Sequence, residues 1–335
     1  MLGRMEFYDY VQRNLPEYLP EQLAGASVKL REQVKNYDEE LTGVMVSLPG
    51  EQVTPVIYLG GCYERYAEGA NLDDVLRDLA QAVTDARTQS AMVGDPEAIM
   101  DFDFAKDKLQ VRLFDTEANQ KRLEPLVHHC LGDLTCAYSI VLSESQGNAM
   151  SVMVTPQIME AWGVTKRQVH EAAMEADLER GVTLNAIGEL IDSMLTGQEP
   201  DNYISPEALA DGIRPDFEGM GMALMCLSNG SRLNGASMII NPEVQANIAQ
   251  VLGGNYYMLP SSIHEVLVLP DTVGGPKAAE LGAMVKEINE TQVAPQDRLS
   301  DKVQYYDAET RSLVNAMAYE MAHGPSPMQD RRKSI

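Results

Sequence analysis

The stretch LPSSIHEVLVLP, Leu259 to Pro270, puts Ser261, Ser262, His264 and Glu265 side by side. On an extended chain, residues two apart share a face, so Ser262 and His264 could meet as a hydroxyl nucleophile and its base. Acyl transfer would also need a group to orient the histidine and donors for the oxyanion. No Gly-x-Ser-x-Gly elbow surrounds either serine. Pro260-Ser261-Ser262 is turn chemistry, and the branched run from Ile263 suits a central strand. We read the stretch as a turn followed by a strand, in which His264 holds local structure. The competing reading is a hydrolase-like site using Ser262 or Ser261 with His264 and Glu265.

A second cluster, His128, His129, Cys130 and Cys136, has the residue types of a metal site. Paired zinc ligands are usually about two to four residues apart. Here Cys130 adjoins both histidines, and Cys136 opens an apolar strand, where cysteine is ordinary core. No metal is expected. His170-Glu171 lacks the second histidine of a zincin helix. Gly60-Gly61 follows a strand without the Lys and Ser/Thr of a phosphate loop, and Gly253-Gly254 closes a helix rather than opening one. No cofactor is expected.

The elements that would position these residues follow from spacing. Residues 6–23 read as helix interrupted near Pro16 and Pro20. ASVKLREQVKNY, LTGVMVSL and VTPVIYL read as strands, and CYERYAEG as a short helix. Asn71 caps an amphipathic helix with Leu72, Val75, Leu76, Leu79 and Val83 on one side and Asp73 and Asp74 in its first turn. KLQVRLF alternates as a half-buried strand does.

From residue 137 an internal repeat emerges. Segments beginning at Ala137 and Met222 each run from an apolar strand ending in Leu-Ser, through a polar loop, to a second apolar strand. Each closes with a cap residue and proline, Thr155-Pro156 and Asn241-Pro242. A cap followed by proline at the first helical position is a specific helix start. We read a hairpin–helix unit used twice, with a degenerate third copy at LTGVMVSLPGEQVTPVIYLGGCYERY. Between the copies, TKRQVHEAAMEADLERG opens with Thr165 and Gln168 in capping-box register. LNAIGELIDSML reads as a helix, and Ser205-Pro206-Glu207 as one helical turn within a loop. A later helix spans Pro276 to Asn289 with Leu281, Met284, Val285 and Ile288 inward. SLVNAMAYEMA reads as a last helix and HGPSPMQDRRKSI as a disordered tail. The expected class is α+β, with helices packed on antiparallel or mixed sheets. The expected divisions are 1–125, 126–215, 216–300 and a polar 301–335.

The chain has 335 residues, 44% hydrophobic, enough to bury most of its apolar surface without staples. Its 50 acids against 26 bases give a formal charge of −24. That balance disfavours direct binding to nucleic acid or to an anionic membrane, since both need a basic face. It suits solubility, or mimicry of nucleic acid in the groove of a basic enzyme. Four cysteines make no disulfide framework, no apolar run is long enough to span a membrane, and MLGRMEFYDYVQRNL is no signal peptide. A cytoplasmic protein with reduced thiols is expected.

LSNGSRLNGASMIINPEV, YYMLPSSIHEVLVLP, EINETQVAPQDRLSDKVQYYD, MEAWGVTKRQVHEAA and PVIYLGGCYERYAEG together resemble a family of bacterial proteins filed as a domain of unknown function. The resemblance spans roughly residues 6 to 307. It implies a gut anaerobe and an accessory role on a mobile or conjugative element, and carries no catalytic residue with it. The expected function is a non-enzymatic binding or regulatory protein with a protein partner. The alternatives are the Ser/His hydrolase and the acidic mimic.

Overall fold

In the computed structural model, the stripe of Leu72, Val75, Leu76, Leu79 and Val83 lies on a single helix, and all but Leu72 are buried. The structure describes residues 1–49, 51, 54–91, 96–145, 148–188, 190, 195, 203–204, 224–272 and 275–324. The chain divides into two compact units, Met1–Met100 and Asp101–Ile335.

The first unit opens with α1 (Arg4–Asn14), which tightens into a 3-10 turn at Leu15–Tyr18, where Pro16 enters. Three antiparallel strands follow in the order β1 (Ser27–Val34), β2 (Glu40–Ser47) and β3 (Val56–Tyr58). α2 (Gly60–Ala67) and α3 (Leu72–Ala91) complete it. At the start of α3 the Asn71 side chain accepts from the Asp73 amide at 2.8 Å, as a cap does. Phe7, Val11 and Leu15 of the first segment meet Val44, Leu59, Leu76 and Leu79 in one core, where Phe7 stacks on Tyr66 at 5.3 Å. β2 and β3 pair antiparallel, and α2 follows β3 directly.

Among the described residues, the second unit holds two antiparallel sheets. α4 (Phe102–Ala105) leads to β4 (Leu109–Asp115), α5 (Gln120–Leu123), β5 (His128–Leu131), β6 (Leu134–Ser145) and β7 (Asn148–Met153). Their sheet runs β4-β6-β5, and β7 also pairs with β6. α6 (Pro156–Trp162) and α7 (Lys166–Glu179) follow. Thr155 caps α6 through the Ile158 amide, Gly163 ends it at φ 65, and the Thr165–Gln168 capping box starts α7. The remaining elements are β8 (Val182–Ala186), β9 (Tyr203–Ile204), β10 (Met225–Asn229), α8 (Pro242–Leu252), β11 (Tyr256–Leu259), β12 (Val266–Pro270), α9 (Ala278–Thr291), β13 (Gln304–Asp307), β14 (Ser312–Asn315) and α10 (Ala316–His323). Seven strands form one sheet, β14-β13-β11-β12-β10-β8-β9. Antiparallel sheets with helices make the class α+β.

β4 lies at the edge of its sheet, and side chains at the end of α7, Asp177 and the capping Arg180, bond two groups of its outer edge. Asp177 Oδ2 accepts from the Val111 amide at 3.1 Å, and Arg180 donates to the Leu109 carbonyl at 2.7 Å. Asp177 and Arg180 join at 3.0 Å, so the pair offers β4 an acceptor and a donor, as a neighbouring strand would. The other end of β4 reaches far along the chain. Asp115 accepts from the Ser300 hydroxyl at 2.6 Å and from Lys302 at 3.4 Å.

Several expectations are corrected. The second hairpin–helix copy has no hairpin: residues Gly235–Ile240, expected as a strand, form a buried 3-10 helix before α8. Arg232 and Asn234 have left-handed backbones at φ 55 and φ 54, so the chain doubles back within a few residues of β10 and cannot run out as a paired strand. The landmarks Asn241-Pro242 and Gly253 do mark the ends of α8, with Asn241 accepting from the Glu243 and Val244 amides. Leu184, Asn185 and Ala186, expected to open a helix, belong to β8 because they pair with β10. Ser312–Asn315, expected as helix, is β14. Met284, expected inward, is 49% exposed, because the buried side of α9 runs through Ala278, Leu281, Val285 and Asn289. The Ser205 helical turn and residues 325–335 lie outside the described residues.

Gly235 explains the tight turn. A Cβ there would stand 2.2 Å from Ser228 Oγ, 2.5 Å from the Asn229 amide and 2.7 Å from the His264 carbonyl. Gly235→Ala should destabilise the protein by ~2–3 kcal/mol, because two of these obstacles are backbone. Gly282→Ala on α9 meets nothing within 4 Å and should stabilise by ~0.5–1 kcal/mol. Urea unfolding of the two variants checks both.

Candidate functional site

The turn expected at Pro260-Ser261-Ser262 is laced to a second segment. Pro260 O accepts from the Ser300 amide at 2.8 Å, Ser261 O from Leu299 at 3.1 Å, and Ile263 donates to Asp297 O at 2.8 Å. Ser262 is buried and forms an isolated bridge with Arg298. β12 begins only at Val266, so His264 and Glu265 sit in the bend before the strand and not on it. The Ser262 hydroxyl accepts from the backbone amide of His264 at 3.0 Å. This is the local hydroxyl–amide bond by which serine stabilises a turn.

The imidazole of His264 faces elsewhere. Its Nδ1 stands 3.2 Å from the Asn234 amide, which must donate, so the ring proton belongs on Nε2. Nε2 lies 3.4 Å from an Asp297 carboxylate oxygen. The His264 carbonyl accepts from Ser228 Oγ at 2.7 Å. A carboxylate orients this histidine, but the nitrogen that would serve as base is occupied by a backbone donor. Ser261, Ser262, His264 and Glu265 are therefore close in space without the polarity of a nucleophile–base pair. Glu265 is half-buried and, after burial itself, is the next influence raising the Cys226 thiol to about 12.

What His264 holds is the 229–237 loop. Asn229 brackets the loop with both ends of its amide, donating to Leu233 O at 2.9 Å and accepting from Leu233 N at 3.2 Å. Asn234 Nδ2 donates to Gln110 Oε1 at 3.0 Å, and Gln110 Nε2 donates to Leu233 O at 3.0 Å. Ser237 Oγ donates to Asp177 at 2.8 Å. A polar seam thus runs from the half-buried Asp297 and His264 through the buried Asn234 and Gln110 to β4, with buried Asp177 beside it. Composition gave no signal for this seam, because its members are 30 to 124 residues apart.

The histidine–cysteine cluster is divided between two faces. His129 lies opposite Cys136, and His128 opposite Ala137. Opposed residues of an antiparallel pair share a face, so His128 and Cys130 project from one side and His129 and Cys136 from the other. Cys136 is fully buried, and burial pushes its thiol up to about 12. His129 meets His170 of α7 at a ring separation of 5.4 Å, and His170 Nδ1 bonds the Tyr138 hydroxyl at 2.9 Å. Burial, then the neighbouring His129, holds His170 below its ordinary value. Among the described residues no three His, Cys, Asp or Glu side chains gather as a metal site would require. Nor is any described helix long and apolar enough to cross a membrane.

Two outcomes are expected. His264→Gln keeps a donor and an acceptor, so stability should fall by only ~1 kcal/mol, read from chemical denaturation. The second concerns Asp177, whose carboxyl burial pushes up to about 7 against the pull of Arg180, Ser237 and the Val111 amide. Between pH 4 and 7 the folded chain then holds a proton that the unfolded chain releases. This contribution to stability is full at low pH and is lost as pH rises through that window, by at most ~1.4 kcal/mol per pH unit. Asp177→Asn should remove this component, so the slopes of stability against pH should differ between variant and parent from pH 4 to 7.

No curated protein and no solved structure matches the chain. A family model does, over residues 4–308, and this covers both units and every residue of the seam. The chain therefore belongs to the family described as Family of unknown function (DUF5688).

Proposed function

We propose that the chain is a non-enzymatic binding or regulatory protein that works through protein–protein contacts, with β14 and α10 as its contact face. The supporting observation is a run of exposed apolar side chains where a globular surface would be polar. β14 is the last strand of the seven-stranded sheet, and Val314 on it is 36% exposed. Met317 and Met321 follow on α10 at 46% and 80% exposure. They lie one turn apart and so present a common ridge. Methionine adapts its shape to a partner, and an edge strand beside an apolar helix offers two known modes of peptide recognition.

The opposite side of α10 supports a rigid platform. Ala316 is buried, and Glu320 accepts from the Tyr257 hydroxyl at 3.0 Å and from the Ala278 amide at 2.9 Å. Tyr319 stacks on Tyr305 at 4.3 Å. These contacts tie α10 to α9 and to the sheet while leaving the methionines outward.

The test is affinity capture from an extract of the native cell, with the full chain and with Met317→Glu/Met321→Glu, at low and high salt. Both variant sites are exposed, so folding should be retained, which circular dichroism checks. A partner held at both salts and lost from the double variant is the expected result. Capture that survives the double variant but vanishes at high salt would instead favour the acidic mimic. Capture indifferent to both changes would refute the proposed face.

A further inference from the structure

Among the described residues, the half-buried guanidinium of Arg112 has no hydrogen-bond acceptor. Arg112 projects from β4 opposite Ala137 of β6, and His128 of β5 lies opposite Ala137 on the other side, so the three form a row across one sheet face. Phe114 shares that face, packed with Ala137, Leu123 and Leu126, which brings α5 and its Arg122 over it. The next residue of β6 on this face is Ser139, opposite Gln110.

Arg112 is half-buried, and among the described residues nothing accepts a hydrogen bond from its guanidinium. The charged groups that act on it are Arg122, which repels it, and Asp177, which already binds Arg180, Ser237 and Val111. Burial first, and then Arg122, lower Arg112 to about 10, so it remains a cation at neutral pH. Ser139 is fully buried, and its hydroxyl has no hydrogen-bond partner. Gln110 cannot supply one, since both ends of its amide are engaged by the 229–237 loop. An unpaired, partly desolvated cation and an orphaned hydroxyl are both costly to the fold, and a bound anion relieves both. The setting sharpens the case: in a chain with 50 acids to 26 bases, two guanidiniums share this face, and among the described residues no carboxylate is bonded to Arg112.

We propose that this face of the four-stranded sheet binds a small oxyanion, a phosphate or carboxylate group, held by the Arg112 guanidinium with Arg122 beside it and the Ser139 hydroxyl as a further donor. Guanidinium suits this work because its planar fork matches two oxygens at once. The site is separate from the β14–α10 face and does not depend on the function proposed for that face.

Isothermal titration of the full chain with inorganic phosphate, and separately with malonate, tests the proposal, with potassium chloride at matched ionic strength as the control. Saturable one-to-one binding of phosphate, malonate or both, absent with chloride, is expected. Which of the two binds tighter distinguishes a phosphate ligand from a carboxylate one. Arg112→Gln should weaken binding by about tenfold or more, the scale of a hydrogen bond to a charged group. Ser139→Ala removes only an unpartnered hydroxyl, so it should fold as the parent does while still weakening binding several-fold. Heats no different from chloride would overturn the site. So would affinity unchanged by Arg112→Gln or, where that variant does not fold, by Ser139→Ala.

Discussion

A strand at the edge of a sheet carries a row of amides and carbonyls that must bond to something. In β4 two of these groups, the Val111 amide and the Leu109 carbonyl, are taken by the side chains of Asp177 and Arg180. Much of the second unit is arranged around that substitution. α7 must lie alongside β4 for the pair to reach it, and the 3-10 helix after β10 must be close enough for Ser237 to complete the Asp177 shell. An ion pair so deep is expensive to desolvate and gains little by mere attraction. Its value lies in supplying one donor and one acceptor at the spacing of a backbone, which an apolar pair could not do.

The same logic accounts for His264. A serine and a histidine two positions apart invite a catalytic reading, but the bend before β12 turns the Ser262 hydroxyl to the backbone of His264 and the imidazole to Asn234 and Asp297. The histidine thereby fastens the left-handed turn at Asn234, which in turn reaches Gln110 on β4. Polar bonds linked in this chain-like fashion favour one loop geometry, since another would leave more buried groups unmade than the single Asn234 Oδ1 that this one leaves.

Local signals in the sequence were dependable where the physics is local. The caps at Asn71, Thr155, Thr165 and Asn241, the stop at Gly163 and the stripe of α3 were all legible, because each involves groups within or next to a single helix. What failed was decided at long range. Gly235–Ile240 is apolar and branched enough for a strand, yet the backbone signs at Arg232 and Asn234 and the crowding at Gly235 direct it into a helix. Leu184–Ala186 became a strand because β10 offers it a partner. Of the site, the residues of the Ser262–His264 stretch were visible but not the direction of their hydrogen bonds. Arg112 and Ser139 gave no signal at all, since alternation in KLQVRLF does not tell which polar residue will lack a partner.

The bonds from Asp115 to Ser300 and Lys302 span 185 and 187 residues. During synthesis the first unit, with its own core of Phe7, Val44 and Leu76, can close before most of the second has left the ribosome. β4 cannot. At ordinary translation speeds of roughly 5–20 residues per second, about 10–40 s pass before the groups that neutralise the end of β4 emerge. Over that interval a strand of mostly apolar residues waits with one end unfinished, and it is then that a nascent-chain chaperone would matter most to this protein.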